Sequence, residues 1–199
     1  MPQRSAYGGY TCNGSGDLIL DATQRELSEA INAHIRLIPD YPKPGILFSD
    51  ITPLLADGAA YQQALSYFVN RYSSYDIDKV VAVEARGFLF GAPLAAALGS
   101  GFIPVRKPGK LPYETIKVDY ELEYGSGILE MHSDAIHAGE RVLVVDDLLA
   151  TGGTTSATID LIHQLGGEVV EVAVLIELLG LQGREKLAPH PVHAVLGMP

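Results

Sequence analysis

The stretch VLVVDDLLATGGTT, Val142 to Thr155, passes from apolar to acidic to glycine-rich within a few residues. The apolar run reads as a buried strand, and TTSATIDLIHQLGG after it reads as a helix. The connection ATGGTT therefore stands at the carboxyl end of a strand, where open α/β sheets bind their ligands. Gly152 and Gly153 let the backbone turn inward and bring N–H groups close to a bound oxygen. Ala150 belongs to the same loop, Thr151, Thr154 and Thr155 add hydroxyl donors, and the helix N-terminus adds partial positive charge. Such a loop suits one phosphate. It has neither the Walker spacing nor G-x-G-x-x-G. Asp146 and Asp147 stand directly upstream, and carboxylates repel phosphate but accept hydrogen bonds from hydroxyls. A ligand that satisfies both halves is a sugar phosphate: ribose diol on the acids, 5′-phosphate in the loop. Either acid also stands within reach of a divalent cation.

The flanking sequence extends the pattern. Thr23 has capping-box spacing to Glu26 and opens a helix with Leu27, Ile31 and Ile35 on one face. AAYQQALSYFVNRY is a second helix, expected to bury Leu65, Phe68 and Val69. VVAV (80–83) and GFIPV (101–105) read as strands, separated by the helix GFLFGAPLAAALG with Gly99 as its C-cap. RVLVV (141–145) is a third strand and EVVEVAVLIEL a fourth. Apolar strands alternating with helices predict a single α/β domain, a mostly parallel sheet flanked by helices. Residues 106–127 break the alternation. They are polar, charged and punctuated by Pro and Gly, which predicts a long flexible functional loop. Residues 1–20 predict a flexible N-terminal arm and 21–199 the domain itself.

The totals narrow the function. Of 199 residues, 47% are apolar and 19% charged, and 14 Lys+Arg stand against 24 Asp+Glu, a formal charge of −10. That balance opposes nucleic-acid binding. The one cysteine, Cys12, excludes an internal disulfide and a cysteine metal cluster. No run approaches the ~20 apolar residues of a membrane span. A cytoplasmic protein with neither nucleic-acid nor membrane partner is expected. His190 and His193 flank a proline without a metal-ligand pattern and read as ordinary surface or packed histidines.

VVDDLLATGGTT resembles the phosphoribosyl-pyrophosphate signature of the type I phosphoribosyltransferases. DYPKPGILFSDITPLL (40–55), EARGFLFG (84–91), RKPGKLP (106–112), YELEYG (120–125) and LLGLQGREKLAP (178–189) follow in a fixed order, and they resemble the adenine-using members of that family. The resemblance implies the type I fold with a long flexible catalytic loop. It also implies transfer of the 5-phosphoribosyl group from phosphoribosyl pyrophosphate to adenine, giving AMP and pyrophosphate in purine salvage by a homodimer. It implies Mg2+ bound mainly through substrate pyrophosphate, with no protein-built metal site. Arg86 and Lys110 would contact pyrophosphate together with Lys107, and Arg106 is placed to reach a neighbouring subunit's site.

By the same resemblance Glu123 and Tyr124 are the catalytic pair on the closing loop, with Glu123 brought towards the N7 edge of adenine. Leu47, Phe48, Ser49 and Leu181 would hold the base: Phe48 as a stacking face, Leu47 and Ser49 through backbone groups, Leu181 covering the opposite face. Taken without the resemblance, Phe48 and Leu181 read as core residues. Ser49 departs from the Arg or Lys of many relatives. Two other functions are weighed: transfer to hypoxanthine, guanine or xanthine, and a non-catalytic sensor of phosphoribosyl pyrophosphate that regulates nucleic acid. The base-binding blocks oppose the first. The retained YELEYG and the acidic charge oppose the second.

Overall fold

The computed structural model describes residues 11–12, 18–19, 22–122 and 125–199. Glu123, Tyr124 and most of the 1–20 arm therefore lie outside the described residues. Two compact units are present, Met1–Phe68 and Val69–Pro199.

In the first unit, β1 (Thr11–Cys12) pairs with β2 (Leu18–Ile19), and α1 (Ala22–Asn32) buries Leu27 and Ile31, one turn apart. β3 (Arg36–Pro39) and β4 (Leu47–Asp50) form an antiparallel hairpin with Ile38 opposite Phe48. Asp50 then starts α2 (Thr52–Ala56): its carboxylate accepts from Thr52 N and Thr52 Oγ1, each at 2.9 Å. Asp57 does the same for α3 (Gly58–Tyr72), whose last turn from Val69 belongs to the second unit, accepting from Ala59 N and Ala60 N. The buried stripe of α3 is Ala60, Ala64, Phe68 and Tyr72. This corrects the expected set, since Leu65 and Val69 are only half-buried. The small alanines at i, i+4 set the face, so the flanking aliphatics mislead.

The second unit holds a five-stranded parallel sheet: β5 (Lys79–Val83), β6 (Gly101–Val105), β9 (Arg141–Leu149), β10 (Glu168–Leu178) and β11 (Val192–Met198), in spatial order β11-β10-β9-β5-β6. β9 and β10 are near-continuous buried runs, as a sheet covered on both faces requires. α4 (Arg86–Leu98), ending on the left-handed Gly99, connects β5 to β6, and α5 (Gly153–Gln164) connects β9 to β10. The chain leaves β5 towards one sheet edge and β9 towards the other. The switch point thus lies between β5 and β9, and a crevice opens beyond their carboxyl ends.

Two elements differ from the sequence reading. Thr115–Leu122 (β7) and Gly125–His132 (β8) pair along their whole length as an antiparallel hairpin, most of it within the 106–127 segment expected to be loop. Ile116, Val118 and Tyr120 alternate along β7 and pack on the buried core, so the segment does have a core face, of period two. The fifth parallel strand, β11, was not anticipated. It carries His193 in an otherwise apolar run, and that ring is 1% exposed. A 3-10 turn (Leu179–Leu181) and the short α6 (Gly183–Lys186) precede β11. Among the described residues no helix is long and apolar enough to cross a membrane.

Candidate active site

At the switch point lies a cleft of about 360 Å³, walled by Val83, Glu84, Ala85 and Arg86 at the end of β5, by Asp146, Asp147, Leu148 and Ala150 to Thr155 at the end of β9, and by Lys107, Tyr120 and Leu129. The strand is longer than its apolar run: β9 continues through Asp146 and Asp147 to Leu149, so the acids are fixed by sheet pairing rather than carried on a loop. Asp147 is 3% exposed and its Oδ2 lies 2.8 Å from Arg86 Nε. Asp146 keeps some exposure, and its Oδ1 accepts from Asp147 N at 2.9 Å. Burial raises the Asp146 carboxyl well above the usual range, and the Asp147 charge raises it further. Burial raises Asp147 too, with Arg86 pulling against it. Gly87 makes this approach possible: a Cβ there would lie 2.8 Å from Asp146 Oδ1.

Beyond the acids, the loop turns at Gly152, which adopts φ 79° and precedes the first turn of α5. The N–H groups of that turn have no acceptor within the helix, the arrangement that can receive an anion. Ser156 N closes the first α-helical bond on Gly152 O at 2.8 Å. Ala150, Thr151, Gly152, Gly153 and Thr154 all line the cleft, and Thr155, 4% exposed, completes the wall.

The cations are organised by an acid to which the sequence reading assigned no role. Glu84 accepts from Lys107 N at 2.6 Å, Lys110 Nζ at 2.9 Å, and Arg106 Nη2 and Nε at 3.0 and 3.2 Å. Burial works to raise its carboxyl, but these donors prevail and hold it at about 2. Glu130, 3% exposed, braces the same segment by accepting from Gly109 N and pairing with Lys117 at 2.7 Å. Arg86 and Lys107 line the cleft, whereas Arg106 and Lys110 gather on Glu84. Tyr120 is a further wall residue that went unread. Glu84 was legible only as part of EARG, because its partners stand more than twenty residues away.

Leu47, Phe48 and Ser49 sit on β4 of the first unit. Leu47 is 56% exposed, Ser49 is buried, and the Phe48 ring meets Tyr41 edge-on at 5.0 Å. Leu181, in the second unit, is 44% exposed. Neither Leu181 nor the half-buried Phe48 is a core residue. His193 is buried and held neutral at about 3, by burial first and then by the nearby Arg71 and Arg184. The His190 ring lies 5.2 Å from that of His163, tilted by 42°. Among the described residues no group of three or more His, Cys, Asp or Glu is disposed to hold a metal ion.

Residues 54–192 match the family model described as the phosphoribosyl transferase domain. The adenine phosphoribosyltransferase of Shewanella loihica is 62% identical over 158 residues, 79% of this chain and 87% of that protein. Among solved structures, the adenine phosphoribosyltransferase of Thermoanaerobacter pseudethanolicus superposes with a TM-score of 0.83 at 50% identity, covering 85% of this chain and 99% of that one. The Saccharomyces cerevisiae adenine phosphoribosyltransferase, complexed with an imino-altritol bisphosphate and adenine, gives 0.81 at 39% identity, covering 86% and 99%.

Proposed function

The chain belongs to the phosphoribosyltransferase family, among its adenine phosphoribosyltransferases, and from that premise we propose that it transfers the 5-phosphoribosyl group of phosphoribosyl pyrophosphate to adenine. The bond from C1′ to the pyrophosphate oxygen breaks, a bond from adenine N9 to C1′ forms, and a proton leaves the base. The products are AMP and pyrophosphate, a purine-salvage step. The observation that carries the reading is the switch-point cleft, in which a rigid acid pair and a one-phosphate loop adjoin.

The family resemblance gives each candidate residue a task. Asp146 and Asp147 hold the ribose hydroxyls, and the loop Ala150–Thr154 holds the 5′-phosphate against the α5 N-terminus. Arg86, Arg106, Lys107 and Lys110 neutralise the departing pyrophosphate, which lowers the barrier because charge accumulates there as C1′ becomes cationic. Leu47, Phe48, Ser49 and Leu181 hold the base. Glu123 exchanges a proton with it, and Tyr124 stands beside Glu123 on a loop that closes to exclude water. The donor set fits Mg2+ carried in on the substrate, since the acids offer at most one or two carboxylates. When bound, the ion shields the pyrophosphate oxygens. The protein acts as a cytoplasmic homodimer, without a nucleic-acid or membrane partner.

Turnover with each purine base, phosphoribosyl pyrophosphate and Mg2+ is the test. Adenine alone should give rapid product. Preference for hypoxanthine, guanine or xanthine would refute the assignment of the base, and no turnover with any of them would refute the enzyme.

A further inference from the structure

The phosphate loop touches a second piece of backbone that the mechanism above does not use. A Cβ built on Gly152 would fall 2.6 Å from Gly183 O. A Cβ built on Gly183 would run into Ala150 O and lie 3.1 Å from Gly152 N. Residue 183 is therefore pressed, backbone to backbone, against the loop that turns into α5. Both positions need glycine for this approach, and Gly152 also for its positive φ.

Gly183 is held in place from one side chain away. Gln182 turns the chain at φ 51°, and Arg184 follows. Arg184 Nε donates to Glu177 Oε1 at 2.8 Å, and Arg184 Nη2 donates to Glu177 Oε2, a two-pronged pairing of fixed direction. Arg184 Nη1 also reaches Val192 O at 3.4 Å. Glu177 is 3% exposed near the end of β10, and Val192 opens β11. The start of α6 is thus clamped to two strands of the sheet. With the Arg184 side chain 40% exposed and only Glu177 buried, the pair adds little net stability. What it does supply is direction, and a loop displaced by about 1 Å can cost an enzyme up to a hundredfold.

We propose that Glu177 and Arg184 are positioning residues for the 5′-phosphate: they hold Gly183 as a backbone buttress that sets where the loop Ala150–Thr154 presents its N–H groups. This rests on the reading that the loop takes the 5′-phosphate. The buttress acts on that end of the ligand, and because Leu181 stands two residues before Gly183, the ligand that isolates it is one with a 5′-phosphate and no base. Ligands carrying a 5′-phosphate should feel its loss, and pyrophosphate should not.

Two variants separate this from ordinary structural support. Glu177→Leu with Arg184→Leu removes both charges together, so neither is left buried and unpaired. Gly183→Ala puts a methyl into the contact itself. In each, inhibition by ribose 5-phosphate, which carries no base for Leu181 to touch, should weaken roughly tenfold while inhibition by pyrophosphate stays within about twofold. KM for phosphoribosyl pyrophosphate should rise with kcat little changed. Equal weakening of ribose 5-phosphate and pyrophosphate, or no weakening of either, overturns the proposal. If one variant does not fold, the other decides. If neither folds, the pair holds the fold rather than the loop, and the proposal also fails. A wild-type protein that forms no AMP would instead sink the functional reading, and this inference with it.

Discussion

Arg86 Nε lies 2.8 Å from Asp147 Oδ2, so the first residue of α4 is tied across the switch point to the acid at the end of β9. The two acids are consequently unlike. Asp147 is buried against a cation, whereas Asp146 keeps some exposure in the cleft beside it. Replacing both by asparagine removes the charge but retains the shape. Asp146→Asn with Asp147→Asn should lower kcat/KM roughly a hundredfold or more with an unchanged circular-dichroism spectrum. Near-normal kcat/KM would remove the ribose assignment.

Asp146 alone carries a signed prediction. A carboxyl whose folded pKa is raised contributes stability fully present below its unfolded pKa and lost as pH rises through the folded value. Its ionised form is therefore a cost to the fold. Asp146→Asn, which can still accept from Asp147 N, should raise unfolding stability by roughly 1 kcal/mol while weakening sugar binding. Thermal melts at pH 5 and pH 8 check it, with the gain larger at the higher pH. A variant less stable than wild type at pH 8 would show that the charge supports the fold.

Glu84 has the opposite sign. Its carboxyl is held at about 2 against an ordinary 4.5, so its contribution is complete above the ordinary value and is lost as pH falls through the depressed one. Glu84→Gln should cost roughly 2 kcal/mol at neutral pH. It should also leave less pH dependence of stability between pH 4.5 and 2. With Arg106 and Lys110 no longer gathered, KM for phosphoribosyl pyrophosphate should rise and become more sensitive to salt. An unaltered acid limb of the stability curve would show that Glu84 is not the group titrating there.

These residues also mark how far the chain can be read without coordinates. The β9–loop–α5 unit was legible because three independent local signals coincide within fourteen residues: an apolar run, an acid pair and a Gly/Thr turn. The β7–β8 hairpin was not, because Lys117 and Asp119 interleave with Ile116, Val118 and Tyr120 and make the stretch look uniformly polar. β11 was hidden by His193, whose burial as a neutral ring is set by its tertiary surroundings. Glu84 and Arg184 share a different reason. Their partners, and the backbone Gly183 presses on, are adjacent only once the strands are paired, so no local pattern announces them.

Residues 1–20 are rich in Gly, Ser and Tyr and lie outside every motif of the family. A protein lacking them should keep its activity and the proposed subunit association within about twofold, since a segment of this composition has little apolar surface to offer a core. Gel filtration and steady-state kinetics of the truncated chain are sufficient. A monomeric or inactive product would place the arm in the working assembly.

The last prediction concerns Glu123, which with Tyr124 stands outside the described residues, between Leu122 at the end of β7 and Gly125 at the start of β8. Two roles are open to it. As a proton-exchange group at the base, it should act in the chemical step, where general acid–base catalysis is typically worth ~10²–10⁴-fold. As an anchor that holds the loop closed, its loss should raise KM and leave chemistry less affected. Glu123→Gln keeps size and hydrogen bonding but abolishes proton exchange, and Glu123→Ala abolishes both. Single-turnover rates separate chemistry from binding and product release. Proton transfer predicts that both variants are slow in the chemical step, by roughly a hundredfold or more. A Gln variant close to wild type beside a poor Ala variant would assign Glu123 to positioning. Tyr120 on β7, already in the cleft wall, would then be the next residue of this hairpin to test for contact with the substrate.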